Sequence, residues 1–307
     1  MRVLIAGPGA IGCMFAARLA EAGCDVLILD HDSARSRRLD ASGLRIDRPD
    51  GAHVCRLPVA CIHDALPPGA PPLAVLLAVK AYDTETAGRA IASRLALDTP
   101  LVSVQNGIGN DQVLTEGCGF RRVICAVTAC GATRLGEGCI REAGVGPTRF
   151  ACATGAVMPS AAGELGRALA AAGLPVAFAD DVRALVWSKA VINAAINPVT
   201  ALWGVTNGEC VEREDARCAL RAAAYEAQTV ATALGIDLPY VDAAAEAEAV
   251  CRGTRENLSS MLQDVRAGRR TEVRQINGKI VEAGRRLGVR TPVNDDLLER
   301  VLALKAG

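Results

Sequence analysis

The sequence has no surplus of charge, no long apolar run and very few lysines. Basic and acidic residues each number 34, so no basic excess is available to attract nucleic acid. Apolar runs are interrupted well before the ~20 residues that a membrane span requires, and a strand-like segment, not a signal peptide, opens the chain. We therefore expect a cytoplasmic protein with neither a nucleic acid nor a membrane as partner.

Cysteine is plentiful, but the pattern of metal and disulfide sites is missing. The twelve cysteines are scattered through predicted strands and helices, include no C-x-x-C pair and do not cluster with histidine at zinc spacing. We expect reduced, mostly buried thiols and no metal. With 307 residues, half of them apolar, the chain is long enough for two domains.

Only four of the 34 basic residues are lysines, at positions 80, 189, 279 and 305. A chain that uses arginine for its general charge keeps lysine more readily where a compact, titratable ammonium is needed. Lys80 and Lys189 follow or interrupt apolar runs, whereas Lys279 is predicted on the exposed side of a charged helix. Lys80 and Lys189 are therefore the candidates for chemistry.

The N-terminus carries a dinucleotide-binding pattern. An apolar run is followed by G7-P-G-A-I-G12 and a helix-like segment, and a second apolar run ends in Asp30, eighteen residues beyond Gly12. Gly7 permits a tight turn, Gly9 lets the backbone approach a pyrophosphate, and Gly12 lets the helix pack closely against the strand. The residues predicted to contact the dinucleotide are Gly7, Pro8, Gly9, Ala10, Ile11, Gly12, Asp30 and His31.

The first part of the chain predicts a doubly wound α/β domain of Rossmann type over residues 1–180. Helix-like segments separate its further apolar runs, at residues 72–79, 100–104 and 122–130. Ligands bind at the carboxyl ends of the strands in such sheets, where Lys80 and Asn106 fall. Both are expected to face cofactor or substrate, with a simple Asn-Gly turn as the alternative for Asn106.

Strand patterns stop after about residue 180. Residues 139–144 and 148–152 are predicted to pair as a short hairpin before that point. From residue 181 to 307 the pattern is helical almost throughout, with a break at 198–208, which predicts a separate all-helical domain.

A polar stripe crosses an apolar, helix-like run of this second domain. Lys189, Asn193 and Asn197 recur every four residues, which places an ammonium and two carboxamides along one helix face. An ammonium on an apolar face is unfavourable unless it is paired, so we interpret the stripe as one wall of an active site. A polar face exposed to solvent is the alternative.

A second polar segment contributes Asn257, Ser260 and Glu272. Helical spacing would bring Asn257 and Ser260 together. If Glu272 reached Lys189 from its own helix, it would hold the ammonium in place and keep it protonated. A solvated helix rich in arginine and glutamate is the alternative for this segment.

These motifs together resemble the ketopantoate reductases (2-dehydropantoate 2-reductases) over nearly the whole chain. The resemblance rests on G-P-G-A-I-G, L-L-A-V-K80, Q-N106-G, the stretch G131-A-T-R-L to R141-E-A-G-V-G146, K189-x-x-x-N-x-x-x-N-P-V-T-A-L202, N207-G-E, N257-L-S-S-M-L-Q-D-V and R-R-T-E272-V-x-x-I-N-G. It implies that Lys189 and Glu272 are catalytic and that Lys80 lies on the cofactor side. The active-site amides and hydroxyl that it implies are Asn106, Asn193, Asn197, Asn207, Asn257 and Ser260.

The resemblance implies hydride transfer from NADP(H) to the C2 carbonyl of a 2-oxo acid, giving a 2-hydroxy acid such as pantoate, with Lys189 as general acid. The chain departs from the family where NADPH users commonly carry a basic residue after the second strand. Asp30 accepts hydrogen bonds from the ribose hydroxyls of NADH but repels a 2′-phosphate, which favours NAD(H). Three arginines, at positions 35, 37 and 38, could instead fold back onto a phosphate.

Two other functions remain open. A reductase of the same fold that acts on a different 2-oxo acid would use the same pocket. A catalytically idle dinucleotide-binding sensor would keep the fold and lose turnover, although the intact Lys189, Glu272 and amides weigh against it. The alanine-rich helical domain is compatible with a homodimer, and turnover is expected to require both domains.

Overall fold

The computed structural model describes residues 1–153 and 158–304, and the chain divides into two units with separate apolar cores. The first unit comprises Met1–Gln105 and Gly109–Val182. The second comprises the chain from Arg183 onward together with Asn106–Ile108. The segment around Asn106 therefore packs with the helical part of the chain, although it follows a strand of the first unit.

All strands in the described residues lie in the first unit. They are β1 (Arg2–Ala6), β2 (Asp25–Asp30), β3 (Leu44–Arg48), β4 (Gly51–Cys55), β5 (Val59–Cys61), β6 (Ala74–Leu77), β7 (Leu101–Ser103), β8 (Val123–Thr128), β9 (Gly131–Gly136), β10 (Cys139–Gly144), β11 (Thr148–Cys152) and β12 (Val176–Phe178). The helices of this unit are α1 (Ala10–Glu21), α2 (Ser33–Ser42), α3 (Thr84–Ala92), α4 (Asn110–Gln112) and α5 (Ser160–Ala171).

The main sheet has eight strands in the order β12-β11-β8-β7-β6-β1-β2-β5 and confirms the predicted Rossmann-type α/β fold. The strands from β8 to β5 are parallel, whereas β11 runs antiparallel to β8. Along β1, Val3 and Ile5 pack into one core and Leu4 and Ala6 into another, as expected for a strand covered on both faces. The strand order reverses at β1, and open α/β sheets bind ligands beside such a reversal.

A second sheet, in the order β4-β3-β10-β9, shows that the predicted hairpin is wrong. Strand β10 pairs with β9 and β3, while β11 pairs with β8 and β12 in the main sheet. A tight turn at Gly138, whose φ is +62°, joins β9 to β10. The pairing with β9 occupies the edge of β10 that a hairpin with β11 would need. Phe150 on β11 is fully buried in the core of the main sheet.

The second unit contains only helices in its described part and confirms the predicted all-helical region. They are α6 (Val182–Trp203), α7 (Asn207–Glu212), α8 (Glu214–Ala233), α9 (Ala243–Gly253), α10 (Ser260–Arg266), α11 (Asn277–Leu287) and α12 (Pro292–Ala303). The break predicted over 198–208 is present at Gly204–Thr206, between α6 and α7, but it begins later than expected because α6 runs through Pro198. A side chain from another helix, Asn277, donates to the carbonyl that the proline leaves without its usual partner.

All twelve cysteines are free thiols. Burial raises the pKa of Cys13 to about 12, which keeps that thiol protonated. In the part of the chain that the structure describes, no helix is both long and apolar enough to cross a membrane, and no group of histidine, cysteine and carboxylate side chains could hold a metal ion.

Candidate active site

The three glycines between β1 and α1 have different steric environments. Gly7 has a φ of +103°, and a Cβ there would lie 2.8 Å from the backbone nitrogen of Val79. A Cβ on Gly12 would lie 2.0 Å from the carbonyl oxygen of Gly7. Gly9 has an ordinary φ of −77°, and within the described residues the nearest atom to its Cβ would be the Ala78 carbonyl oxygen, at 3.8 Å. The protein's own packing therefore requires glycine at positions 7 and 12, whereas at Gly9 a methyl group would make only an ordinary contact.

Gly9 lies at the start of α1. The helix begins at Ala10, its first turn has no acidic residue, and its N-cap residue, Gly9, has no side chain with which to cap the N–H groups. Free N–H groups at a helix N-terminus attract phosphate. Pro8, Ala10 and Ile11 are half-buried and line the same turn. The geometry is thus suited to a pyrophosphate that approaches the backbone at Gly9.

Asp30, at the end of β2, is paired with an arginine. Its side chain is fully buried, and the Arg35 guanidinium binds both carboxylate oxygens, with Nε at 2.5 Å from Oδ2. The backbone N–H of Arg35 is fixed by Asp32, which caps α2 at 2.9 Å. His31 is exposed, with Nδ1 at 3.4 Å from Asp30. Of the other two arginines considered for a phosphate, Arg37 is exposed, and Arg38 pairs with Glu137.

Lys80 is half-buried and comes three residues after the end of β6. The segment around it is braced by Gln105, whose Nε2 donates to the Val79 carbonyl at 3.0 Å and to the Thr84 hydroxyl at 2.8 Å. Lys80 therefore follows β6, which lies between β1 and β7 in the sheet. The backbone around Lys80 is held by Gln105, which follows β7.

In the second unit, the stripe of Lys189, Asn193 and Asn197 lies on α6 as predicted. Lys189 and Asn193 are half-buried, and Asn197 is only 5% exposed, which argues against a solvated face. Tyr240 donates its hydroxyl to the Ser188 carbonyl, beside Lys189, at 2.8 Å. Burial raises the pKa of Tyr240, so the phenol stays protonated and keeps this bond.

Glu272 does not lie on a helix, so both helical interpretations of its segment are wrong. Helix α10 ends at Arg266 and α11 begins at Asn277, and Glu272 lies in the turn between them. Its side chain is 4% exposed and accepts a hydrogen bond from Nδ2 of Asn106 at 3.3 Å. Gly107 and Ile108 pack against the same turn, where the Ile108 N–H donates to the Gln275 carbonyl at 3.0 Å. A side-chain pairing of Lys189 with Glu272 stays a prediction.

Asn257 and Ser260 are also not on one helix, because Asn257 lies in the loop before α10 and Ser260 is the first residue of that helix. The Asn257 carbonyl accepts from the backbone N–H of Asn207 at 3.0 Å. Nδ2 of Asn207 donates to the Thr254 hydroxyl at 2.8 Å. Oδ1 of Asn207 is buried and has no hydrogen-bond partner among the described residues. A buried acceptor without a partner is costly, so this oxygen is a candidate for a ligand's hydroxyl.

Two family models match this chain. One, described as ketopantoate reductase PanE/ApbA, matches residues 3–155, and the other, described as ketopantoate reductase PanE/ApbA C terminal, matches residues 181–305. The 2-dehydropantoate 2-reductase of Archaeoglobus fulgidus is 38% identical over 309 residues, which cover 100% of this chain and 98% of that protein. The chain belongs to the ketopantoate reductase family. It is therefore an oxidoreductase.

Solved structures agree with this family assignment. A PanE/ApbA family ketopantoate reductase from Ralstonia eutropha JMP134 is 29% identical, with a TM-score of 0.85 and coverage of 99% of this chain and 98% of the other. A ternary structure of D-mandelate dehydrogenase with NADH and anilino(oxo)acetate is 26% identical, with a TM-score of 0.89 and the same coverage. This chain is thus similar both to ketopantoate reductases and to a dehydrogenase of another name.

Several residues that hold the candidate site in place were not predicted from the sequence. Thr200 on α6 contacts the Ser259 hydroxyl at 2.7 Å, and Ser259 caps α10 just before Ser260. Thr254 fixes the carboxamide of Asn207. The sequence contains one usable signal for Asn277, because a proline inside a helix leaves a carbonyl that needs another donor.

Proposed function

We propose that this chain is a 2-dehydropantoate 2-reductase that reduces the C2 carbonyl of ketopantoate to give pantoate. The observation that carries the proposal is the buried, unpartnered Oδ1 of Asn207, in a unit that also supplies Lys189 and the amides. Ketopantoate has a hydroxyl group besides its 2-oxo acid, and a hydroxyl is the donor that this oxygen lacks. Family membership supports the same substrate.

Lys189 would donate the proton in this reaction. When bound, a nicotinamide cofactor would supply the hydride to C2, and negative charge would then develop on the carbonyl oxygen. An ammonium within hydrogen-bond reach of that oxygen stabilises the charge and delivers the proton. We assign Glu272, which is buried and accepts from Asn106, to orient the ammonium and favour its charged form.

The other polar side chains would bind the two ends of the substrate. We assign Ser260, with Asn106 or Asn257, to the carboxylate, because hydroxyl and amide groups can donate to it. Asn193, Asn197 and Asn207 are assigned to the substrate hydroxyl. The Asn207 carboxamide cannot turn freely, since its Nδ2 is held by Thr254, and it therefore offers an acceptor.

The first unit would hold the cofactor, and the steric environment of Gly9 fits this role. The residues assigned to the cofactor are Gly7, Pro8, Gly9, Ala10, Ile11, Gly12, Asp30, His31, Lys80 and Asn106. The phosphates would lie at the start of α1, the ribose beside Asp30, and the Lys80 ammonium would face the cofactor.

Gly9→Ala should weaken cofactor binding without unfolding the protein. Its Cβ would meet no atom of the described residues closer than 3.8 Å, so the protein should remain folded, but the Cβ fills space assigned to the pyrophosphate. We expect the Kd for the nicotinamide cofactor, measured by titration calorimetry, to rise at least ~10-fold. Gly163→Ala on α5 is the matched control, since among the described residues the nearest atom to its Cβ is also 3.8 Å away. An unchanged Kd in Gly9→Ala would contradict the assignment.

Asp30 and Arg35 should set the choice between NADH and NADPH. We propose a preference for NADH, which the paired Arg35 moderates because it neutralises much of the Asp30 charge that a 2′-phosphate would meet. The D-mandelate dehydrogenase to which this chain is similar was solved with NADH, which supports the proposal. NADP(H) is the alternative implied by resemblance to the family.

Two variants test this assignment in opposite directions. Asp30→Ala removes the repulsion and releases Arg35 for the phosphate, so the ratio of kcat/KM for NADPH to that for NADH should rise at least ~10-fold. Arg35→Ala leaves Asp30 uncompensated, so the same ratio should fall. If the unaltered protein prefers NADPH and Asp30→Ala leaves the ratio unchanged, the proposed NADH preference is wrong.

A reductase of another 2-oxo acid is the second candidate function, favoured by the similarity to D-mandelate dehydrogenase. Steady-state oxidation of NADH and NADPH with ketopantoate and a panel of other 2-oxo acids separates the two. Turnover with ketopantoate that is lost in Lys189→Ala supports the proposal. Turnover with another acid alone replaces the substrate, and cofactor binding without any turnover would indicate an idle sensor.

A further inference from the structure

Pro198 lies inside α6, where a proline removes one hydrogen bond from the helix. The N–H of residue 198 would normally donate to the carbonyl of Ala194, and proline has no N–H. The proline ring also crowds that carbonyl, which is why prolines inside helices usually kink or end them. Helix α6 nevertheless continues from Val182 to Trp203.

The carbonyl of Ala194 receives its donor from α11. Nδ2 of Asn277 donates to this oxygen at 2.9 Å, and both residues are fully buried. The second Nδ2 hydrogen goes to Oδ1 of Asn294 at 3.0 Å. Oδ1 of Asn277 has no partner within the described residues, and such an oxygen is unfavourable in a core. The amide at position 277 is therefore used for its two donors.

Further bonds fix the direction of this amide. Nδ2 of Asn294 donates to the Ala223 carbonyl at 3.0 Å and to Glu226 at 2.9 Å, which leaves its Oδ1 towards Asn277. Glu226 also accepts the backbone N–H groups of Val293 and Asn294, both at 2.9 Å. A flipped carboxamide at position 277 would put oxygen against oxygen at both of its contacts. Asn277 can thus only donate.

We propose that Asn277 is a positioning residue for the polar face of α6. It replaces the hydrogen bond that Pro198 removes and keeps Asn193 and Asn197, on either side of the Ala194 carbonyl, aligned on one face of an uninterrupted helix. This inference rests on the proposed function, because the alignment matters for turnover only if that face binds the 2-oxo acid. A displacement of ~1 Å in a substrate contact can lower an enzyme's rate about 100-fold.

A double-mutant cycle with Asn277→Leu and Pro198→Ala tests the proposal. Alanine at position 198 restores a backbone N–H for Ala194, so the side chain at 277 is no longer needed there. With Pro198 present, Asn277→Leu should raise KM for ketopantoate at least ~10-fold and leave KM for the nicotinamide cofactor unchanged. With Pro198→Ala, the same substitution should change KM for ketopantoate less than about threefold. The loss of the Asn294 contact is common to both backgrounds and cancels.

Ile280→Val provides a matched control. Ile280 is a fully buried residue of α11 in the same core, and its apolar side chain cannot donate a hydrogen bond to the Ala194 carbonyl. It should lower the melting temperature and leave KM for ketopantoate unchanged. If Asn277→Leu does not fold, Asn277→Ala takes its place in the cycle. An unchanged KM in the Asn277 variant, or equal KM changes in both backgrounds, would overturn the proposal.

Failure of the proposed function can be distinguished from failure of this inference. If the unaltered protein reduces no 2-oxo acid, the inference is decided by thermal unfolding of the same four proteins. Destabilisation by Asn277→Leu that disappears with Pro198→Ala supports replacement of the missing hydrogen bond. Destabilisation that persists equally in both backgrounds overturns it.

Discussion

Replacing Lys189 by alanine should lower kcat for ketopantoate reduction by roughly 10²- to 10⁴-fold, because the oxygen that gains charge at C2 then has no positioned proton donor. Binding of the nicotinamide cofactor, which we assign to the other unit, should be unchanged. Lys189→Arg keeps the positive charge but releases a proton far less readily. Its KM for ketopantoate should therefore be close to that of the unaltered protein, whereas its kcat should stay as low as that of Lys189→Ala. Steady-state and single-turnover kinetics measure both effects.

Lys279→Ala is the matched control for Lys189→Ala. Lys279 is another of the four lysines, lies on α11 of the same unit and pairs with Glu282 at 2.8 Å on an exposed surface. Its loss should leave kcat unchanged, since exposed ion pairs contribute little. Added alkylammonium ions should partly restore activity to Lys189→Ala, with a rate that depends on the pKa of the amine. A kcat that is unaffected by Lys189→Ala would exclude the general-acid role.

The main elements of the fold could be predicted because their patterns are local. Strand β1, the glycine turn and α1 follow from an apolar run, Gly7 and helical spacing within a few residues. The second sheet could not be predicted in this way. Its strands β3 and β4 are short and partly polar, and β3 is paired by β10, which lies far along the chain and is placed by the turn at Gly138.

The candidate site likewise contains some residues that local spacing predicts and others that only tertiary contacts place. The stripe from Lys189 to Asn197 is local, so periodicity was sufficient to find it. Glu272 is set in a turn that packs against Gly107 and Ile108, contacts that no spacing within its own segment encodes. The pairing of Asp30 with Arg35 depends on side-chain geometry at the start of α2, so the sequence indicated Arg35 as a possible partner of a phosphate but did not predict its ion pair with Asp30.

The hydroxyl of ketopantoate should raise kcat/KM by a large factor. A site that buries an acceptor for a substrate hydroxyl rejects the analogue that lacks it, because the acceptor is left unpaired. The 2-oxo acid in which that hydroxyl is replaced by hydrogen, 3,3-dimethyl-2-oxobutanoate, should therefore have a kcat/KM lower than that of ketopantoate by at least ~10²-fold. The measurement needs only the unaltered protein and the preferred cofactor.

Asn207→Ala should remove this discrimination by lowering kcat/KM for ketopantoate roughly 10- to 100-fold, with little effect on the hydroxyl-free acid. Thr254→Val is the companion variant. It keeps the Asn207 carboxamide but removes the partner that holds its Nδ2, so the amide can turn and the loss should be smaller. If the unaltered protein reduces both acids equally well, the role of Asn207 is wrong. Because Lys189→Ala would still abolish turnover of both acids in that case, the reductase assignment would stand and only the proposed selectivity for ketopantoate would fail.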